Sequence, residues 1–291
     1  MTAEAVLARL VAWGEAEETI RGLILLGSRA RTDTPADEWS DTDVVVFTTD
    51  ADRWQRDAEW VDAFGEPIIT FLEETGLEGL MERRVLFDDA VDLDMVIAPV
   101  ERTEEILSAD GALPVLARGH RVLIDKDGRF AGLSERVARA DPWAIRAAAS
   151  WPPDPGDVAN LIGDYWYHCA WTAKKLRRGE VATALGCLNG YMARIILRFV
   201  EWQAKARSGG AAQTWFDGRY LERWAPPETV EALGRAVAHY DPQDIARSLL
   251  ASMELFAALG REVAAAAAVP YPEASEAWVR RWVEQTLAGG T

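Results

Sequence analysis

The chain has 291 residues, is 49% hydrophobic and 27% charged, and carries a formal net charge of −16. That length supports two modest domains with cores of their own; no run of 18 apolar residues marks a membrane span and Met1-Thr2-Ala3-Glu4 does not open a signal peptide, so a cytoplasmic protein without membrane contact is expected. The charge is lopsided: residues 1–150 hold 31 acidic and 16 basic side chains and residues 151–291 hold 16 and 15, a balance that makes the first half a poor match for nucleic acid and suits a cationic partner.

In chain order, residues 3–19 read as a helix with Ala5, Leu7, Leu10, Val11 and Trp13 on one side. A strand over 23–26 ends in Gly27-Ser28-Arg29, and Thr32-Asp33-Thr34-Pro35 breaks regular structure. Asp41-Thr42-Asp43 opens a strand over 44–48; a helix over 52–64, a strand over 67–72 and a short connection over 76–82 follow. Strands over 83–87 and 91–98 form a hairpin turned by Asp88-Asp89-Ala90. A helix over 101–107, a strand over 122–124 and a turn at Lys126-Asp127-Gly128 complete an α/β pattern.

The prolines of Trp151-Pro152-Pro153-Asp154-Pro155-Gly156 exclude a continuous helix there and mark a domain boundary. Beyond it the periodicity predicts helices over 157–177, 182–205, 227–240, 243–268 and 273–288, with Asp157 and Asp241 as N-terminal caps or first-turn acids and Ser208-Gly209-Gly210 as a loop. The fold class is therefore α+β. A mixed sheet flanked by helices over 1–150 is followed by an all-α helical bundle over 151–291. Cys169 and Cys187 sit in apolar helical contexts and read as buried free thiols. None of the three histidines has zinc-like spacing to a partner.

The chemistry concentrates in the first half. Strand side chains alternate faces, so Asp41 and Asp43 point the same way. Two anions held side by side repel unless a cation lies between them. Mg²⁺ suits this role, because it takes a few carboxylates and completes its shell with phosphate oxygens. A Gly27-Ser28 turn offers N–H groups and a hydroxyl to the same phosphates. Asp92 and Asp94 also share a face, in an otherwise apolar strand where a carboxylate is costly unless paired or metal-bound. Together these read as a nucleoside-triphosphate and metal site. In the second half, Trp166 and Tyr167 beside Asp164 read either as core packing or as the wall of a pocket for a cation. Lys174 reads either as a triphosphate contact or as the basic end of a helix. Arg29 reads either as a phosphate ligand or as a cap on its turn.

This set resembles the nucleotidyltransferase superfamily that includes DNA polymerase beta, which carries Gly-Ser, then Asp-x-Asp, then a third carboxylate on a later strand. It more closely resembles the aminoglycoside 6-adenylyltransferases (streptomycin adenylyltransferases), whose Gly-Ser-Arg, polar loop and Asp-x-Asp look like Gly27-Ser28-Arg29 and Asp41-Thr42-Asp43. Their Phe-(Asp/Glu)-Asp hairpin looks like Phe87-Asp88-Asp89 leading to Asp94. Downstream, Trp166-Tyr167 followed by the Ala173–Glu180 segment, Gly218-Arg219-Tyr220-Leu221 and Tyr271-Pro272 are similar to family motifs, so the likeness spans nearly the whole chain. Lys175, where the family pattern has Gly, and Trp151–Pro155 depart from it.

The resemblance implies AMP transfer from ATP, as co-substrate, to a hydroxyl of a streptomycin-like acceptor, with pyrophosphate released. It implies Asp41, Asp43 and Asp94 as catalytic residues and ligands to Mg²⁺, with two ions expected. Gly27, Ser28, Arg29 and Lys174 would meet the nucleotide, and Asp92, Asp164, Trp166 and Tyr167 a cationic small-molecule acceptor, in a monomer. Modification of a macromolecule such as tRNA or protein, and an inactive nucleotide or antibiotic binder, stand as alternatives.

Overall fold

The computed structural model describes residues 1–31, 35–75, 79–108, 112–140, 151–214 and 216–289. The break expected at Thr32-Asp33-Thr34, part of the 76–82 connection and the end of the first domain at 141–150 lie outside these residues. The chain divides into two compact units, Met1–Arg146 and Ala147–Thr291. Among the described residues no helix is long and apolar enough to cross a membrane.

The first unit opens with α1 (Ala3–Ala16), capped by the Thr2 hydroxyl, which accepts from the Ala5 N–H. Its buried stripe is Ala3, Val6, Leu10 and Gly14, rotated from the predicted face so that Leu10 is central and Leu7 and Val11 only flank the core. Then come β1 (Ile20–Leu26), β2 (Asp43–Thr48), α2 (Ala51–Arg56), β3 (Pro67–Glu74), β4 (Met81–Phe87), β5 (Asp92–Pro99), α3 (Thr103–Ser108), α4 (Ala112–Ala117), β6 (His120–Asp125) and α5 (Leu133–Val137). The six strands form one sheet in the order β3-β4-β5-β2-β1-β6. Only β2 and β5 pair in parallel; the remaining neighbours are antiparallel. The sheet is mixed, as expected.

The helix predicted over 52–64 is broken. The chain leaves α2 at Asp57, in extended conformation, and resumes as a 3₁₀ turn over Glu59–Ala63. The break lets Trp54, Trp60 and Phe64 all close on Trp13, with Trp60 stacked on it at 5.1 Å and the other two edge-on at 5.0 and 5.4 Å. Aromatic burial on this scale outweighs one interrupted helical turn. The short α4 and α5 carried too few periodic positions to be predicted.

The second unit is helical: α6 (Pro155–Arg177), α7 (Val181–Gly186), α8 (Ala193–Arg207), α9 (Leu221–Trp224), α10 (Pro227–Ala236), α11 (Pro242–Ala266) and α12 (Glu273–Ala288). Asp154 caps α6, accepting from the Gly156 and Asp157 N–H groups at 2.8 and 3.0 Å, and Asp157 is the first-turn acid. Asp241 caps α11 in the same way. The helix predicted over 182–205 carries a π-helical segment, Cys187–Met192, between α7 and α8. The core centres on Tyr165 stacked on Phe256 at 3.6 Å, with Phe199 and Trp202 beside it. Cys169 and Cys187 are buried free thiols.

Gly22 in β1 has no room for a side chain, because a Cβ there would lie 2.5 Å from the Phe130 ring. Gly22→Ala is expected to cost about 1–3 kcal/mol by overpacking, read as a lower denaturant midpoint. Adding Phe130→Leu should recover part of that loss. A Gly22→Ala protein of unchanged stability would contradict the packing described.

Candidate functional site

The site grows out of the ends of four strands. β1 ends in Gly27, whose φ of 68° is left-handed and whose Cβ, if present, would lie 2.3 Å from Asp43 Oδ2. Only glycine lets this turn pass so close to the carboxylate. Ser28 opens a 3₁₀ turn over Ser28–Ala30. Its hydroxyl is shut off from solvent and meets no hydrogen-bond partner in the protein, an arrangement that costs free energy unless a ligand completes it.

Arg29 is held by protein partners. Its Nε donates to the Asp41 carbonyl at 3.0 Å and Nη2 to the Ser40 carbonyl at 2.7 Å, while Nη1 reaches Glu4 at 3.2 Å. The guanidinium holds the loop that delivers Asp41, which favours the turn-holding reading over the nucleotide contact. The same loop is tightened by Asp37, whose carboxylate accepts from Ser40 Oγ at 2.9 Å and the Trp39 N–H at 3.0 Å.

Asp43 begins β2 and pairs in register with Asp94 of β5. The Asp94 N–H donates to the Thr42 carbonyl at 2.9 Å, extending the parallel ladder to the Asp41-Thr42-Asp43 tripeptide. Carboxylate oxygens of Asp41, Asp43 and Asp94 all lie within 4.8 Å of one another. Asp94 is 8% exposed. Burial pushes its carboxyl up to about 6; Arg84 opposes that rise, and the charges of Glu82, Asp41 and Asp92 add to it. Arg84, directly across from Asp94 on β4, reaches Asp94 at 3.4 Å, Glu82 at 3.1 Å and Glu73 at 2.6 Å. Asp92 is exposed on the same face as Asp94, one pleat away and opposite Leu86. An all-oxygen donor set beside an unsatisfied hydroxyl fits a hard divalent cation with phosphate, and fits no soft metal.

On α6 the residues predicted for the acceptor separate. Trp166 is 2% exposed, packs edge-on to Tyr165 at 5.8 Å and donates from Nε1 to the Tyr271 hydroxyl at 3.1 Å. It is core, not a pocket wall, because it falls on the buried stripe of the helix with Ile162, Tyr165 and Cys169. Tyr167 is 65% exposed. Asp164 accepts from the Tyr191 hydroxyl at 2.7 Å and faces His168 Nδ1 at 2.6 Å. The His168 ring lies 4.5 Å from Tyr191 and 5.2 Å from Tyr167.

The contacts of His168 and Tyr191 with Asp164 were not read from the sequence. The i,i+4 spacing from Asp164 was the available signal for His168. Tyr191 projects from the π-helical segment and left no signal. Lys174 is exposed, with Nζ 5.5 Å from the Trp282 ring centre. Lys175 pairs with Glu180 at 2.8 Å.

Two substitutions test this geometry. Gly27→Ala should displace Asp43 and weaken divalent-cation binding at the three carboxylates, read by calorimetry, while far-ultraviolet circular dichroism stays native; unchanged binding would contradict the close approach. For Asp94, the folded-state pKa lies above the ordinary 3.8, so the folded protein holds this proton more tightly than the unfolded chain. Stability is therefore lost as pH rises from about 4 through about 6, by up to ~3 kcal/mol. Asp94→Asn is expected to raise the melting temperature of metal-free protein by a few degrees at pH 7.5 and to have little effect at pH 4. A lower melting temperature at pH 7.5 would contradict it.

The streptomycin adenylyltransferase family model matches residues 1–286. An aminoglycoside 6-adenylyltransferase of Campylobacter jejuni is 24% identical over 277 residues, covering 89% of this chain and 87% of that protein. One of Bacillus subtilis (strain 168) is 23% identical over 266 residues, covering 89% of each. The crystal structure of an aminoglycoside 6-adenyltransferase from Bacillus subtilis aligns over 98% of both chains at 19% identity, with a TM-score of 0.46. With nearly its whole length matched, the chain belongs to the streptomycin adenylyltransferase family of nucleotidyltransferases.

Proposed function

We propose that this protein transfers AMP from ATP to a hydroxyl of a streptomycin-like aminoglycoside and releases pyrophosphate. The observation that carries the reading is the convergence of Asp41, Asp43 and Asp94 within 4.8 Å, next to a glycine turn with an unsatisfied serine hydroxyl, in a chain of this family. The acidic surface of the first half suits a polycationic acceptor and disfavours tRNA or DNA.

Asp41, Asp43 and Asp94 would hold Mg²⁺, two ions in this proposal, and the metal would neutralise charge on the transferring phosphate and on the attacking and leaving oxygens. The protein's own groups supply position. The backbone of Gly27 admits a phosphate close to β1, and the Ser28 hydroxyl donates to it. The acceptor oxygen bonds to the α-phosphorus as the bond from that phosphorus to its β-bridging oxygen breaks, and pyrophosphate departs with that oxygen. Asp94 would either share the second ion or accept the hydroxyl proton. Lys174 is kept as a proposed nucleotide contact. Asp164 and Tyr167, joined by His168 and Tyr191, are the proposed contacts to an acceptor cation.

The test is transfer from α-labelled ATP, with Mg²⁺, to a panel of aminoglycosides and to total cell extract. Label is expected in streptomycin and absent from kanamycin-type compounds and macromolecules. Asp43→Asn should lower the rate by about a thousandfold or more with the fold intact, and chelation of divalent cations should silence the native enzyme. Label entering RNA or protein, or an active Asp43→Asn variant, would contradict the reading.

A further inference from the structure

The sheet register lays the groups of the site out in a line. Phe71 of β3 pairs with Arg84 of β4, Arg84 with Asp94 of β5, and Asp94 with Asp43 of β2. Gly27 and Ser28 follow at the end of β1, on the far side of Asp43. The parallel row is Ile69, Leu86 and Asp92. Directly paired residues share a face, so one surface runs from an apolar shelf, past an arginine, over the carboxylates, to the glycine turn. The shelf is real space: Ile69, Phe71 and Leu86 line a cavity of about 320 Å³ that also touches Asp41, Asp92 and Asp94.

Phe71 is 50% and Ile69 54% exposed, a high value for large apolar side chains on an edge strand beside the carboxylates. Arg84 does not make the cavity cationic, because Glu73, Glu82 and Asp94 surround it.

We infer that this cavity is the acceptor-ring subsite: the apolar face of a hydroxyl-bearing, amine- or guanidine-substituted ring rests on Phe71, Ile69 and Leu86, with Asp92 meeting its positive charge. The inference rests on the adenylyl-transfer reading and adds the direction of attack. In-line displacement requires the attacking and leaving oxygens on opposite sides of the α-phosphorus. With the departing pyrophosphate over Gly27-Ser28, the alcohol approaches from the opposite side, which is the β3–β4 shelf. Carbohydrate and cyclitol rings present C–H faces that pack on an aromatic ring, and a carboxylate at the rim selects those bearing cations.

The experiment is steady-state kinetics of Phe71→Ala, Phe71→Tyr and Ile68→Ala with streptomycin and ATP, together with calorimetric binding of streptomycin to the native protein. Ile68 is 60% exposed at the bulge of the same strand, outside the lining of the cavity, and controls for a general weakening of the edge. Phe71→Ala is expected to raise the KM for streptomycin at least tenfold while leaving the KM for ATP within twofold; Phe71→Tyr should restore it, and Ile68→Ala should change neither. An unchanged streptomycin KM in Phe71→Ala, or equal effects of Phe71→Ala and Ile68→Ala, overturns the subsite and leaves adenylyl transfer standing. Native protein that neither binds nor modifies streptomycin overturns both.

Discussion

Everything in the first unit is subordinate to one electrostatic constraint: three carboxylates are held closer together than they would choose to be. The in-register parallel pairing of Asp43 with Asp94 creates the crowding, and the Asp94–Thr42 hydrogen bond brings Asp41 into it. Burial then raises the proton affinity of Asp94. Such a cluster is unfavourable in isolation and becomes favourable when a divalent cation sits among the oxygens. Arg84 offsets part of the charge from one side and is itself shared among Glu73, Glu82 and Asp94. The protein gives up stability at this point to gain a preorganised anionic cup.

The surrounding structure serves that cup. Gly27 allows the β1 turn to graze Asp43. Arg29 fixes the loop before β2 through two backbone carbonyls. On the opposite face of the sheet, Leu93, Met95 and Ile97 of β5 are fully buried, and that packing holds the strand carrying Asp94. Register errors of one residue would turn the aspartates into this core, so the apolar side of β5 and its acidic side specify the same alignment.

Much of this was legible in the sequence because strand alternation is local. Asp41 and Asp43, and Asp92 and Asp94, could be assigned to shared faces from spacing alone. The pairing of Asp43 with Asp94 rather than Asp92 was not legible from spacing, because it depends on register between strands some fifty residues apart. Arg29 was ambiguous for a related reason: a guanidinium serves phosphate and backbone carbonyls equally well, and only the position of the 40–41 carbonyls decides. Trp166 stood open between core packing and a pocket wall, and the buried stripe of Val158, Ile162, Tyr165, Cys169 and Ala173 that includes it decides for the core. Tyr191 was invisible, since a π-helical segment shifts side chains off the 3.6-residue phase on which such readings depend. The helix expected over 52–64 failed because four aromatic rings packing together outweighed its local periodicity.

The most direct test of the cation site is anomalous diffraction from crystals grown with Mn²⁺ and a non-hydrolysable ATP analogue. The account expects a manganese peak about 2.1 Å from oxygens of Asp41, Asp43 or Asp94, with analogue phosphates on the same ion and within hydrogen-bonding reach of the Ser28 hydroxyl. Manganese bound elsewhere with the three carboxylates bare, or a nucleotide seated away from the β1 turn, would contradict it.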